Sequence, residues 1–463
     1  MKKPGILQNK YQYKCQDRSL YFFCTVVLLL FFLSGCSSNS IYRSLFEVCE
    51  YSDANSCSQS ALQVHDLDGR DEYRLGFVEY DDQGQLRERA QMDAVVDEYL
   101  RIAGSDDDVL LVAFVHGWHH NAAPGDDNIK SFRRMLTEIS RNELKSSQQQ
   151  DRTRRKVLGL YVGWRGESIT VPYVKGLTFW DRKNTAHDVG QQGIAEVLLK
   201  FEEIVNVKAG IEEENPPPLN SRLVIIGHSF GGAVVYTSLQ NVLADRFVGS
   251  RRGKAVSGSA EGFGDLVVLI NPAFEAIRFA GLYDLSQEKC RGYFPGQVPK
   301  LAILTSEADY ATKLAFPAGR MFSTLFEAHK TLEDRHYCSK PGPEGMQALQ
   351  IDEGVADRNT VGHFTPYLTH RLNPSEVLAA RRTDYQINQI QEVWAEQSRA
   401  DTLDFNGTQL VSLGRTTPLN PYLNIQVDKT LIKDHNDIWR PEIMHFISEM
   451  IILSATPTEA EAR

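Results

Sequence analysis

Arg222 to Leu239 reads RLVIIGHSFGGAVVYTSL, and the fold turns on what this stretch does. Leu223 to Ile226 is an unbroken run of large aliphatic residues. It does not alternate with polar ones, so it predicts a strand buried on both faces, as in a parallel sheet. Gly231 and Gly232 then open a segment, Ala233 to Leu243, whose apolar residues recur at helical spacing. Ser229 therefore stands where a strand turns sharply into a helix, flanked by Gly227 and Gly231 at G-x-S-x-G spacing. At such a tip the backbone is strained, and the residues two before and two after must be small for the chains to pass. The serine oxygen is pushed outward, with the helix N-terminus behind it. A glycine-rich turn without chemistry has the same five letters. The strand before and the helix after favour an activated nucleophile.

Composition bounds the rest. At 463 residues, 42% hydrophobic and 24% charged, the chain has the makeup of an ordinary globular protein with a large core. A formal net charge of −10 argues against a nucleic-acid binder.

The N-terminus reads as an export leader. Lys2, Lys3, Lys10, Lys14 and Arg18 precede an apolar run from Leu20 to Leu33, too short for a comfortable membrane span but suited to a signal-peptide core. The run ends in LSGC, Leu33 to Cys36, which resembles the lipobox of bacterial lipoproteins. That resemblance implies cleavage after residue 35 and lipidation of Cys36. Ser37 follows where Asp would signal retention, which implies an outer-membrane lipoprotein of the cell envelope. Of the seven cysteines, four lie beyond the leader and the lipobox: Cys49, Cys57, Cys290 and Cys338. An even number in an exported domain predicts two disulfides. Of the three connectivities, Cys49–Cys57 and Cys290–Cys338 are favoured, one closing a short loop and the other stapling a long excursion. None has C-x-x-C zinc spacing.

Along the chain, residues 36–70 are polar and irregular and read as a tether, leaving 71–463 as one domain. Tyr73 to Tyr80 reads as an early strand and Leu86 to Ile102 as a helix. Val109 to Gly117, Lys156 to Trp164, Asp265 to Pro272, Lys300 to Asp309 and Tyr422 to Lys429 read as further strands. A helix is expected over Ala186 to Val205, and another over Ile129 to Ile139, capped by Asp126 to Asn128. ENPPPLNS, around Pro216 to Pro218, reads as a stiff connector, and 145–156 and 249–261 as exposed loops. The alternation predicts an α/β fold: a mostly parallel, doubly wound sheet with helices on both faces. The long segment 310–421, between the last two strands, is expected as an insertion or cap. In such a sheet functional groups gather at the carboxyl ends of the strands. Here those ends carry HGWHHN, GWRG, GHSFGG, NPAFE, TSEAD and KDHNDIW.

Three of these tips together resemble the α/β-hydrolase superfamily of serine esterases and lipases, over about Val109 to Leu453. GHSFGG resembles the nucleophile elbow. HGW, His116 to Trp118, resembles the His-Gly loop that supplies part of the oxyanion hole. DHNDI, Asp434 to Ile438, resembles the late loop bearing the histidine. The order nucleophile, acid, histidine is met by Ser229, Asp309 and His435. The resemblance implies an ester or thioester hydrolase with a Ser-Asp-His triad, Phe230 and Trp118 N–H groups as oxyanion donors, and no cofactor. The substrate would be a small-molecule or lipid ester, with the membrane reached through the lipid anchor. An envelope phospholipase or acyltransferase, and a silent scaffold that binds a partner, stand as alternatives.

Each assignment has rivals. His363 and His370 also follow the serine. Glu307 and Glu275 compete for the acid. Asp437 is expected to orient the histidine loop or cap the last helix. His116, His119, His120, Asp126 and Asp127 could form a metal site, but they lack helical i, i+4 spacing and H-E-x-x-H, and the metal reading is disfavoured. Arg165 reads as a salt-bridge partner rather than a substrate contact. VPYVKGLTFW, Val171 to Trp180, fits a mobile apolar cover or an ordinary packed loop.

Overall fold

The computed structural model describes residues 40–52, 56–65, 72–164, 179–209, 220–250, 259–324, 327–375, 390, 392, 394–396 and 401–455. The leader, Cys36, Arg165, the Pro216 to Pro218 connector and residues 171–178 of the apolar crossover lie outside them. In chain order the strands are β1 Leu45–Glu50, β2 Ser60–His65, β3 Tyr73–Glu79, β4 Val109–Val115, β5 Lys156–Gly163, β6 Arg222–His228 and β7 Leu266–Ile270. They continue with β8 Leu301–Ser306, β9 Thr331–Cys338, β10 Met346–Asp352, β11 His370–Pro374, β12 Thr402–Phe405, β13 Thr408–Ser412 and β14 Tyr422–Val427. The helices used below are α1 Arg89–Ala103, α2 Asp127–Gln149, α3 Phe179–Gln192, α4 Ile194–Val205, α5 Phe230–Ser250, α6 Ala276–Gln287, α7 Phe316–Ser323, α8 Glu353–Arg358 and α9 Pro441–Ala455.

Twelve strands form one sheet in the order β1-β2-β3-β5-β4-β6-β7-β8-β14-β11-β13-β12. From β3 through β11 every pairing is parallel. The aliphatic runs explain why. In β4, Val109, Leu111, Ala113 and Val115 join one apolar core with residues of α1, α4, α5 and α6. Leu110, Val112 and Phe114 join the other, with residues of α2 and α9. Both faces of the central strands are thus covered by helices, as unbroken apolar runs require. After β5 the chain returns past β4 to β6, so the strand order reverses between β4 and β6. A crevice opens at the carboxyl ends of strands at such a reversal.

Several boundaries differ from the sequence reading. The expected tether, 36–70, carries β1 and β2, and β2 pairs antiparallel with β3. Arg43 is buried, its backbone N–H donates to Glu79 at 2.8 Å, and its guanidinium lies over the Phe77 ring. The packed unit therefore begins well before residue 71. β1 escaped notice because its side chains are largely exposed and show no alternation. The expected helix over Ala186 to Val205 is two, α3 and α4, interrupted at Gly193, where a side chain would collide with the Gly84 carbonyl. The helix capped by Asp126 runs on to Gln149, so 145–149 is helical rather than a loop. Its end is anchored by Glu143, which pairs with Arg152 and Arg155. The 310–421 segment is only partly a separate layer. β9 and β10 form an antiparallel hairpin of their own, but β11, β13 and β12 extend the main sheet beyond β14. These are short strands at one end of the sheet, apolar on one face, with Leu372, Leu403, Phe405 and Leu410 buried, and no long aliphatic run announces them. The two disulfides are Cys49–Cys57 and Cys290–Cys338. No helix among the described residues is long and apolar enough to cross a membrane.

Candidate active site

β6 ends at His228, α5 begins at Phe230, and Ser229 between them has φ 57, a left-handed angle that non-glycine residues rarely adopt. The turn is tight because three chains cross there. A side chain at Gly231 would lie 2.1 Å from the Val115 carbonyl oxygen, and one at Gly227 would lie 2.8 Å from the Gly231 carbonyl oxygen. At Gly117 it would lie 2.7 Å from Ser229 Cβ, so the loop after β4 passes directly against the serine. The Ser229 N–H donates to the Ile270 carbonyl, and its own carbonyl accepts from Ala273 N–H, each at 3.0 Å.

His435 Nε2 lies 2.6 Å from Ser229 Oγ, and His435 Nδ1 lies 2.9 Å from Asp309 Oδ2. Asp309 is fully buried and also accepts from Ala311 N–H, Thr312 N–H and the Thr312 hydroxyl. Burial alone would raise its carboxyl. The facing His435 ring and the hydrogen bonds from His435 and Thr312 outweigh burial and hold it below its ordinary value. An ionised carboxylate only accepts, so Nδ1 carries the proton and Nε2 offers its lone pair to the serine hydroxyl. The arrangement can take a proton from Ser229 and stabilise the imidazolium that results.

The rivals are engaged elsewhere. Glu307 pairs with Arg371 at 2.8 Å. Glu275 is buried against Lys183, Arg278, Arg320 and His187, and its carboxyl sits at about 2. Burial opposes that shift, and Lys183 leads the cations that overcome it. His363 faces the acid from behind, its Nε2 3.1 Å from the Thr312 hydroxyl oxygen, and burial lowers it to about 4. His370 is buried beside the Thr369 hydroxyl and is likewise held near 4 by burial. Asp437 accepts from Lys433 N–H within the histidine loop, as expected of a residue that shapes that loop.

The possible metal ligands do not converge. His116 is buried, accepts at Nε2 from Trp164 N–H and donates from Nδ1 to the Gly117 carbonyl. His120 faces Asp126, whose carboxylate caps α2 through Asn128 N–H, and Asp127 is exposed and pairs with Lys130. The Gly117 contact bears on the N–H groups expected as oxyanion donors. Gly117 C=O and Trp118 N–H belong to one planar peptide, so fixing the carbonyl fixes the direction of the N–H. Phe230 is the first residue of α5, whose first-turn N–H groups point outward along the helix axis.

Four contributors have no mark in the sequence as a set: His228, Asn271, Ser306 and Thr312. His228 Nε2 donates to the His435 carbonyl at 2.9 Å, and burial lowers this ring to about 3, so it stays neutral. Asn271 Nδ2 donates to the same carbonyl at 3.0 Å. The only hint was an Asn-Pro pair closing the β7 run, which reads as a turn. Compared with protein-family models, with curated proteins and with solved structures, the chain gives no match.

Proposed function

We propose that the protein is a serine hydrolase of α/β-hydrolase fold that cleaves a carboxylic ester or thioester through a Ser229 acyl-enzyme. The observation that carries this reading is the hydrogen-bonded series Ser229 Oγ, His435 Nε2, His435 Nδ1, Asp309 Oδ2, with the serine in a left-handed conformation between strand and helix. The chain order and the strand-order reversal beside the serine also support it.

The reaction then runs in two halves. Ser229 Oγ attacks the substrate carbonyl carbon as His435 Nε2 takes the hydroxyl proton. The oxyanion faces the N–H groups of Phe230 and Trp118. Collapse breaks the bond to the leaving group, which departs with the proton from His435. Water repeats the sequence on the acyl-enzyme, releasing the acid and restoring Ser229. Asp309 stays ionised throughout and holds the ring. Each oxyanion donor contributes on the order of 10²–10³ in rate.

The lipobox-like LSGC supports export and anchoring through lipid on Cys36, so the site would work at the bacterial cell envelope. The test is covalent labelling of the mature protein by a fluorophosphonate beside Ser229→Ala. Labelling of the wild type that is lost in the variant supports an activated serine. Absence of labelling from a folded wild type refutes the hydrolase reading.

A further inference from the structure

We infer that Asn271 is the positioning residue of the triad: its side chain ties the His435 loop to the acid-bearing strand while the backbone on either side of it grips Ser229. The inference rests on the serine-hydrolase reading. Asn271 stands just after β7, is fully buried and has φ 46, a conformation that asparagine tolerates better than most side chains. Its backbone N–H donates to the Leu304 carbonyl at 2.7 Å. Its side-chain oxygen accepts from Ser306 N–H at 2.9 Å, and its Nδ2 donates to the His435 carbonyl at 3.0 Å. Ile270, just before it, accepts from Ser229 N–H, and Ala273, two residues after it, donates to the Ser229 carbonyl. Three of the four residues from Ile270 to Ala273 thus touch all three triad loops.

The surrounding bonds strengthen the hub. The Ser306 hydroxyl donates to the Ile432 carbonyl at 2.6 Å, so the acid strand grips the histidine loop a second time. The His435 carbonyl receives two donors, Asn271 Nδ2 and His228 Nε2, from the residue just after β7 and the residue beside the serine. The His435 carbonyl is held by two donors and the loop before it is held at Ile432, while the ring itself is bonded to Asp309 and Ser229. Asn271 touches no reacting atom. It acts through where His435 stands, and a misplacement of about 1 Å can cost roughly 10²-fold in rate.

The test uses the mature protein with Asn271→Gly and Asn271→Asp, reading the rate of fluorophosphonate labelling at Ser229 and its pH profile. Glycine accepts φ 46 and keeps the bond to Leu304, but loses both side-chain bonds. Aspartate keeps the acceptor for Ser306 N–H, loses the donor to His435 and places a carboxylate beside the loop. Both variants are expected to label roughly ten- to a hundredfold more slowly. The aspartate variant should also move the pH of half-maximal labelling upward, because a nearby anion favours the protonated imidazole. Should the glycine variant not fold, the isosteric aspartate variant carries the test. Wild-type rate and pH profile in the aspartate variant would overturn the inference while leaving the hydrolase reading intact. A folded wild type that does not label would remove the hydrolase reading and this inference with it.

Discussion

Gly231 is the narrowest point of the elbow, and Gly231→Ala is the sharpest test of how it is built. The added methyl would lie 2.1 Å from the Val115 carbonyl oxygen and 2.4 Å from that of His116. Both are backbone atoms, so no side-chain rotation relieves the clash. Such contacts essentially never fall below 3.0 Å, so β4 and the first turn of α5 must part by about 0.9 Å or more. The loop after β4 carries Trp118, so this movement draws one expected oxyanion donor away from the other. A displacement near 1 Å predicts a loss of roughly 10²-fold in labelling rate. Overpacking costs on the order of 1–3 kcal/mol in stability, against at most about 1 kcal/mol returned by alanine's helix propensity. Gly249 lies in the same helix, and a methyl there meets nothing within 4 Å. Gly249→Ala should therefore label as the wild type does and melt no lower. The assay is fluorophosphonate labelling rate together with thermal midpoint for both variants. A Gly231→Ala protein with wild-type rate and midpoint would show that the strand and helix do not pass in contact, and the argument for the elbow would fail.

Ser229→Gly should abolish labelling yet leave the protein at least as stable as Ser229→Ala, because glycine takes φ 57 without a Cβ penalty of roughly 1–2 kcal/mol; the two melting curves decide it. Asp309→Asn should lower the labelling rate by roughly 10⁴, since an amide cannot accept from every donor around the carboxylate, whereas Glu307→Gln, which disturbs only a pair with Arg371, should leave it unchanged. Equal losses in the two variants would reassign the acid. Acid should destabilise the fold from about pH 6.5 downward. Burial leads in lowering His116, His363 and His370 to about 4 and His187 and His228 to about 3, so the unfolded chain binds more protons than the folded one throughout that fall. Each such histidine removes roughly 1.4 kcal/mol per pH unit until its folded value is reached. Glu275, lowered to about 2, adds its loss only as pH falls from the ordinary carboxylate range through that value. Urea midpoints measured against pH check this, and a midpoint flat from pH 7 to 4.5 would refute the histidine argument.

The central strands β4, β6, β7 and β8 were legible because each carries an unbroken apolar run. The margins were not. β1 buries little, and β11 to β13 bury only one face, so their letters look like those of any half-exposed loop. The choice between Glu307 and Asp309 shows the limit more finely. Two residues apart on a strand, they would share a face. But β8 ends at Ser306, and Asp309 N–H turns back to the Ser306 carbonyl, so the alternation no longer applies. Glu307 stays in line with the sheet and meets Arg371, while Asp309 swings to His435.

The same distinction separates what a motif can state from what a fold must add. G-x-S-x-G describes strain, and strain is local: a left-handed serine and two glycines where chains cross are properties of neighbouring residues. Activation is not local. It needs a lone pair 2.6 Å from Oγ on a residue 206 positions away, held there by a carboxylate 126 positions from that histidine. The loops that carry these residues are joined by hydrogen bonds among Asn271, Ser306, Ile432 and the His435 carbonyl. Each of these residues has an ordinary local explanation: a turn before proline, a strand-end serine, an aliphatic loop residue. Only their convergence carries meaning, and convergence is set by the order in which β6, β7, β8 and β14 lie side by side. A chain with the same turn but a different strand order would keep the strained serine and lose the imidazole beside it.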